Sequence, residues 1–438
     1  MYEAIQEYQS LNIRAISRNR AEQVGYYRFL ENEQVTISEL VRSLQTHCQE
    51  QVEGRHVLAV SDTSEINLEA HRGRLKPKGL GVVGNNKDVG FFIHPTLILD
   101  AEHGFPLGLS AMRIWTRPLD HADKHDRDYA NLPIEEKESY KWISAAEDSR
   151  YCLATGGASL VTYIGDRESD MYEEFAKVPD RYTHVLVRAC QNRCLRGQKE
   201  SLYDYLAHQR CEGSYTVKIE GDPRRKQPKR EALLAVRFTK VQIQCPAKLK
   251  GLGYPAGLWL YAVEAREVCP PPGVEPIHWR LLTTHEVTSL EQALQVLQWY
   301  CWRWRIEQLF GTLKSVGLDI EASQLETAGA IARLAVLGLS VAVKTLQLLE
   351  GRDKEDFPAS VAFSSEEQQC LQQLMPSLEG RTKKQKNPYR CKSLAWANWL
   401  IARLGGWSGY QSQRPAGICT LVRGLRSFES IFLGWQLA

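Results

Sequence analysis

The sequence has little excess of either charge: 55 Lys and Arg stand against 52 Asp and Glu in 438 residues. Such a balance does not advertise nucleic acid, so any basic surface must come from local clustering. There is no apolar run of membrane-spanning length, and the start, Met1-Tyr2-Glu3-Ala4-Ile5-Gln6, is not a signal peptide. The eleven cysteines are odd in number and scattered. Cys190 and Cys194 have no second close pair or histidines to complete a zinc site, so the thiols read as reduced and the protein as cytoplasmic. Internal repeats and low-complexity tracts are missing too. The length suffices for two or three domains with real cores.

The most informative stretch runs from Trp299 to Lys314. It has a helical period and no internal proline, and Ser289 with Gln292 three residues on predicts a capping box that opens the helix. At 100° per residue Tyr300, Arg303, Glu307 and Lys314 fall on one narrow stripe. A buried carboxylate there could hold a metal, while the cations and the phenol reach phosphate oxygens. The plainer alternative is a solvated face with an i,i+4 Arg-Glu pair. Trp299, Tyr300, Trp302 and Trp304 make a purely solvated helix harder to accept.

Two further carboxylates end apolar strands. His56-Val57-Leu58-Ala59-Val60-Ser61-Asp62-Thr63-Ser64 reads as one short strand with the Asp62 carboxylate at its end, a turn or cap residue being the plainer alternative, and Ser159 to Gly165 leads into Asp166-Arg167-Glu168-Ser169-Asp170. The carboxyl ends of strands are where α/β sheets put chemistry. A helix starting at Asp166 would place Asp170 one turn on, and Glu168 and Asp170 read as first-turn acids favoured by the helix dipole. The glycines of Gly79 to Gly84 follow a polar loop rather than a strand, so they are no dinucleotide fingerprint. Residues 1–50 read as helices, Phe91–Leu99 and Pro106–Trp115 as a hairpin around Asp100–Gly104, and Glu135–Ala154 as a helix. Residues 118–134, with His121 and His125, read as a polar loop. From His184 to about Thr284, short β runs separated by Pro and Gly suggest an antiparallel insert. Within it Arg224, Arg225, Lys226, Lys229 and Arg230 form a basic loop suited to a phosphate backbone. Ala328 to Leu349 is apolar nearly throughout, as in a core helix or a subunit contact.

The spacing Tyr300, Arg303, Glu307, Lys314 resembles the signature of a group of bacterial DDE transposases, those of the Tn-five type. The Asp166-Arg167-Glu168-Ser169-Asp170 segment, Tyr27 to Asn32, Lys137 to Trp142 and the tail with Arg414-Pro415-Ala416-Gly417 resemble the same family. The resemblance covers nearly all of the chain from about residue 20. It implies an α/β fold: an RNase H-like catalytic core interrupted by an antiparallel β insert, with helical N- and C-terminal regions. The expected divisions are 1–50 (helical, DNA-binding remnant), 51–183 (first part of the core), 184–284 (insert), 285–325 (catalytic helix) and 326–438 (helical, dimerising).

What the resemblance implies about chemistry is specific. Asp62, Asp166 and Glu307 would be both catalytic and metal-binding, and three carboxylates around one point suit two divalent cations. Hard oxygen ligands favour Mg²⁺ or Mn²⁺. Tyr300, Arg303 and Lys314 would contact DNA, and Trp279 stands where the family has a tryptophan that stacks on a flipped base. A strand Trp packed in the insert's core is the competing expectation. The implied activity is metal-dependent cleavage at transposon ends and strand transfer into target DNA, through a hairpin intermediate. Its partners would be double-stranded DNA and a second copy of the chain, in a bacterial cytoplasm at the nucleoid. Little chain precedes Tyr27, so the alternative is a shortened, non-transposing inhibitor of a full-length transposase.

Overall fold

The computed structural model describes residues 1–119, 132–219, 229–315, 318–410 and 414–437. The chain opens with α1 (Tyr2–Tyr8), α2 (Arg20–Glu31) and α3 (Ile37–Gln49). Asn19 caps α2 by accepting the Glu22 N–H, and Thr36 and Glu39 form a reciprocal capping box on α3. Each cap satisfies backbone donors that the first helical turn leaves unpaired.

The expected strand from His56 to Ser64 is broken in two. β1 (His56–Ser61) and β2 (Ser64–Asn67) leave Asp62 and Thr63 between them. After the two-residue β3 (Gly81–Val82), β4 (Val89–Asp100) pairs antiparallel with both halves, Thr96–Asp100 against β1 and Gly90–Ile93 against β2. The expected hairpin forms: β5 (Pro106–Trp115) pairs antiparallel with β4. α4 (Tyr140–Thr155) follows, shorter at its start than the sequence suggested because Ile134–Glu136 forms a separate 3₁₀ turn. β6 (Leu160–Gly165) then pairs parallel with β1. α5 (Tyr172–Lys177) leads to β7 (Thr183–Arg188), which pairs parallel with β6. The order β5-β4-β1-β6-β7, with β4 antiparallel to its neighbours, is the RNase H-like arrangement.

The sheet does not stop at β7. After α6 (Leu202–Ala207) come β8 (Gly213–Ile219), β9 (Arg230–Gln244), β10 (Gly257–Glu267) and β11 (His278–Thr283). β11 pairs antiparallel with β7, and β10, β9 and β8 follow outward, so among the described residues the insert prolongs the core sheet to eleven strands. Both faces are covered. On β1, Leu58 and Val60 enter one buried cluster and Val57 and Ala59 the other, the period-2 alternation of a strand buried on both sides.

α7 (Leu290–Trp302) opens on the expected Ser289–Gln292 capping box, and α8 (Arg305–Lys314) follows after a two-residue turn. α9 (Ala328–Glu350), α10 (Ser365–Leu378), α11 (Leu394–Leu404) and α12 (Ile418–Gln436) complete the chain. Against the expectation that no apolar run reaches membrane-spanning length, α9 is long and apolar enough to cross a membrane by length and composition alone. However, 72% of its most apolar window is buried inside this fold. It is a core helix.

Candidate active site

Asp62 and Asp166 meet because two strands share one register. His56 pairs with Leu160 and Val60 with Ile164, a constant offset of 104 residues. The same offset separates Asp62 from Asp166, so the two carboxylates leave adjacent parallel strands side by side, with backbones about 4.8 Å apart. Each is held by the main chain: Asp62 Oδ1 accepts the Thr63 N–H and Asp166 Oδ1 the Glu168 N–H, both at 2.8 Å. Asp166 caps a 3₁₀ turn, Arg167–Ser169, that folds back sharply over Gly165. A Cβ on Gly165 would stand 2.2 Å from Ser169 Oγ, so only glycine admits this turn.

The helix that brings Glu307 is not the single rod expected from the sequence. Between α7 and α8 the Arg303 N–H bonds Tyr300 O, Trp304 bonds Cys301, Ile306 bonds Arg303 and Glu307 bonds Trp304. These i to i−3 bonds tighten the helix into a 3₁₀ turn at Arg303 and Trp304. The stripe is therefore bent. Arg303 Nη1 lies 2.7 Å from Asp62 Oδ2 and 3.8 Å from Glu307 Oε1. Its guanidinium is 5.9 Å from the centre of the Tyr300 ring, and burial raises that phenol's pKa. Lys314, at the far end of α8, donates to Glu65 O at 2.9 Å and pairs with Glu321 at 3.0 Å. It braces β2 beside the cluster.

The electrostatics show an excess of negative charge. Burial, and then the charge of Asp166, push the Asp62 carboxyl up to about 6, against the pull of Arg303. Among the described residues, the oxygens of Asp62, Asp166 and Glu307 do not all come within 4.8 Å of one another. Asp100, Glu102 and His103 do. That second group is a turn: Asp100 Oδ1 accepts the N–H of Glu102 and of His103, and Oδ2 accepts Arg55. Asp100 also pairs with Val57, near the opposite end of β1 from Asp62. The donors of Asp62, Asp166 and Glu307 are all hard oxygens, a chemistry that would suit Mg²⁺ or Mn²⁺, and Asp62 is paired with the guanidinium of Arg303.

Other expectations met different outcomes. Asp170 is no helix-dipole acid. It is buried, accepts the Cys190 and Gln191 N–H groups on Oδ2, and pairs through Oδ1 with Arg193 Nη2 at 2.6 Å. Glu168 pairs with the nearly buried Lys141 at 2.9 Å. Trp279 is half-buried against the core, and it also lines a cavity of about 560 Å³ with Arg167, Arg188 and Tyr203, next to the Asp166 turn. Arg230 is the first residue of β9, and its guanidinium is held by Glu267. Lys229, just before it, is exposed. Arg224, Arg225, Lys226, His121 and His125 lie outside the described residues.

Sequence reasoning missed Lys141, Arg193 and Glu174. Glu174 is buried on α5, accepts the Ser169 hydroxyl at 2.6 Å, and is pushed up to about 8, chiefly by burial. Burial thus favours its neutral form behind the Asp166 turn. No local signal marks these three, because their partners lie on other turns or strands.

Residues 85–343 match the family described as transposase DDE domain, a span that includes Asp166 and Glu307 and begins after Asp62. The fold also aligns with a chain of a cryo-EM structure of the piggyBac transposase synaptic complex with hairpin DNA. That alignment has a TM-score of 0.40 and 10% identity, and it covers 97% of this chain and 63% of that one. The chain thus spans less than two thirds of that protein's length.

Proposed function

The chain belongs to the transposase DDE domain family, and from that premise we propose that it cuts DNA at transposon ends and joins the freed 3′-hydroxyl to target DNA. The observation that carries this reading is the common register of β1 and β6. It delivers Asp62 and Asp166 together beneath the turn bearing Arg303 and Glu307.

Asp62, Asp166 and Glu307 would hold Mg²⁺ or Mn²⁺, two ions in all, which would acidify a water and neutralise charge at phosphorus. The protein's own groups do the rest. The Thr63 and Glu168 N–H groups fix the carboxylate rotamers, so both acids are oriented before substrate arrives. Arg303 offsets the charge of Asp62 and Glu307, and with cations held by the carboxylates it would be free to turn to a phosphate oxygen. Tyr300 donates its phenol hydrogen to the backbone near the cut, and Lys314 adds a cation beyond it. Water's oxygen attacks phosphorus, the bond to O3′ breaks, and the 3′-hydroxyl released becomes the next nucleophile.

In the fuller form of this proposal that hydroxyl attacks the opposite strand to give a hairpin, and Trp279 stacks on a displaced base. Movement is then cut-and-paste, carried out by a homodimer on two DNA ends at the bacterial nucleoid. Lys229 and the neighbouring basic residues would follow the phosphate backbone.

The test is cleavage of a labelled double-stranded fragment, carrying the repeats that flank the gene, with Mn²⁺. Asp166→Asn should bind this DNA as the parent does and leave it uncut. Cutting at the parent rate by that variant would remove the three carboxylates from the mechanism.

A further inference from the structure

The gap between β1 and β2, where Asp62 stands, has a cause on the neighbouring strand. β4 keeps one register across it: Ser61 lies opposite Thr96 and Ser64 opposite Ile93, so Asp62 and Thr63 face Pro95 and His94. Beyond one end of the pair the Ala101 N–H bonds His56 O, and beyond the other the Leu68 N–H bonds Val89 O. These rungs assign the ladder bonds to the even-numbered residues of β1 and β2, so Asp62 would draw its bond from residue 95. Proline has no N–H to give. The strand therefore lacks a rung at the residue that carries the carboxylate.

Side-chain bonds stand on either side of the missing rung. Ser61 and Thr63 belong to the intervening pairs, where opposite side chains come closest. Ser61 Oγ meets Thr96 Oγ1 at 2.9 Å, and Thr63 Oγ1 meets His94 Nδ1 at 2.9 Å. By strand alternation Ser61 and Thr63 continue the face of Val57 and Ala59, whereas Asp62 continues that of Leu58 and Val60. Thr63 is thus gripped by its hydroxyl from the reverse face of the sheet, while its N–H reaches Asp62 Oδ1 at 2.8 Å.

The imidazole is itself fixed. It is 0% exposed, with the Trp142 ring of α4 edge-on at 4.9 Å and the Trp115 ring of β5 at 6.4 Å. Burial, with Lys141 and Arg113 nearby, lowers its pKa to about 3 and favours a neutral ring with a single N–H. Among the described residues its Nε2 is buried without a partner, and a buried donor left unpaired is rarer than an unpaired acceptor. The tautomer that fits carries its hydrogen on Nδ1 and donates it to the Thr63 hydroxyl oxygen. We propose that His94 is a positioning residue for Asp62: through Thr63 it holds the rotamer of the carboxylate at the rung that Pro95 leaves unbonded. This role presupposes that Asp62 is a metal ligand.

The test uses the full chain freed of metal, with Mn²⁺ alone as the probe and water proton relaxation as the readout, so neither DNA nor cleavage enters. Thr63→Val keeps the shape of the side chain and loses the hydroxyl. Groups that orient a metal ligand are worth about 10- to 100-fold in affinity, so this variant should bind Mn²⁺ about tenfold more weakly than the parent. Thr63→Ser keeps the hydroxyl and should bind as the parent does. His94→Leu, with its urea midpoint measured to show that it folds, should lose as much as Thr63→Val. Combined with Thr63→Val it should lose nothing more, because the two residues act through one bond. Unchanged affinity in Thr63→Val would overturn the role of His94 and leave the metal site standing. Losses that multiply in the double variant would do the same, since His94 would then act through packing. A parent that takes up no Mn²⁺ would remove the metal site, and the role of His94 with it.

Discussion

Arg303 Nη1 donates to Asp62 Oδ2 at 2.7 Å while standing 3.8 Å from Glu307. One guanidinium thus stands between two of the three carboxylates. Replacing it with glutamine removes a competitor for added cations but also a partner for phosphate. Mn²⁺ titrated into metal-free Arg303→Gln and followed by water proton relaxation should bind several-fold more tightly than to the parent, while DNA cleavage falls. Weaker Mn²⁺ binding would assign Arg303 a role in assembling the site.

Gly165 decides where Asp166 points. A methyl group there would stand 2.2 Å from Ser169 Oγ and 2.3 Å from its Cβ. Gly165→Ala should therefore fold, since the clash is local, and lose most cleavage because the Arg167–Ser169 turn must open. Adding Ser169→Gly removes the obstructing side chain and should restore part of the rate. A double variant as inactive as the single would locate the damage elsewhere.

Asp170 and Asp166 are four residues apart and have opposite characters. Removing one partner of a buried pair leaves an uncompensated charge, at a cost of about 3–5 kcal/mol. Urea unfolding of Arg193→Ala should show a loss of that order, since its partner Asp170 has no side-chain exposure. Asp166→Ala, at a half-buried turn position where only the cap on the Glu168 N–H is lost, should unfold within about 1 kcal/mol of the parent.

Three histidines meet at the opposite ends of the strands. His184 and His285 stack at 3.9 Å, and His56 and His285 share the Thr162 hydroxyl. Burial lowers all three, His56 to about 4 and His285 to about 3. Between those values and the ordinary 6.5 the unfolded chain binds more protons than the folded one, so stability rises with pH through this window. Acidifying from pH 7 to pH 4.5 should therefore lower the urea midpoint. His285→Phe should shallow that slope. An unchanged slope would exclude the imidazole as its source.

Much of this was legible beforehand because it is local. Asp62 and Asp166 end apolar runs, Glu307 sits in a helical period, and Ser289 with Gln292 announces the start of α7; each signal lies within a few residues of its cause. The hairpin of β4 and β5 was readable for the same reason, as alternation bounded by a turn. Asp170 was misread because its partners, Cys190, Gln191 and Arg193, lie on another turn, and a first-turn acid looks the same with or without them.

By itself, the sequence determined which side chains can do chemistry and at which ends of which elements they stand. Periodicity and capping are properties of neighbouring residues, so no folding was needed to read them. Only the tertiary structure decided that residues 104 apart become neighbours, since that follows from the pairing register of β1 and β6. It alone broke the α7–α8 helix at Arg303, turning that guanidinium to Asp62. It also made the expected antiparallel insert continuous with the core sheet. Register, bending and sheet continuity depend on packing between distant segments, where the energy of each choice resides in contacts that no local pattern records.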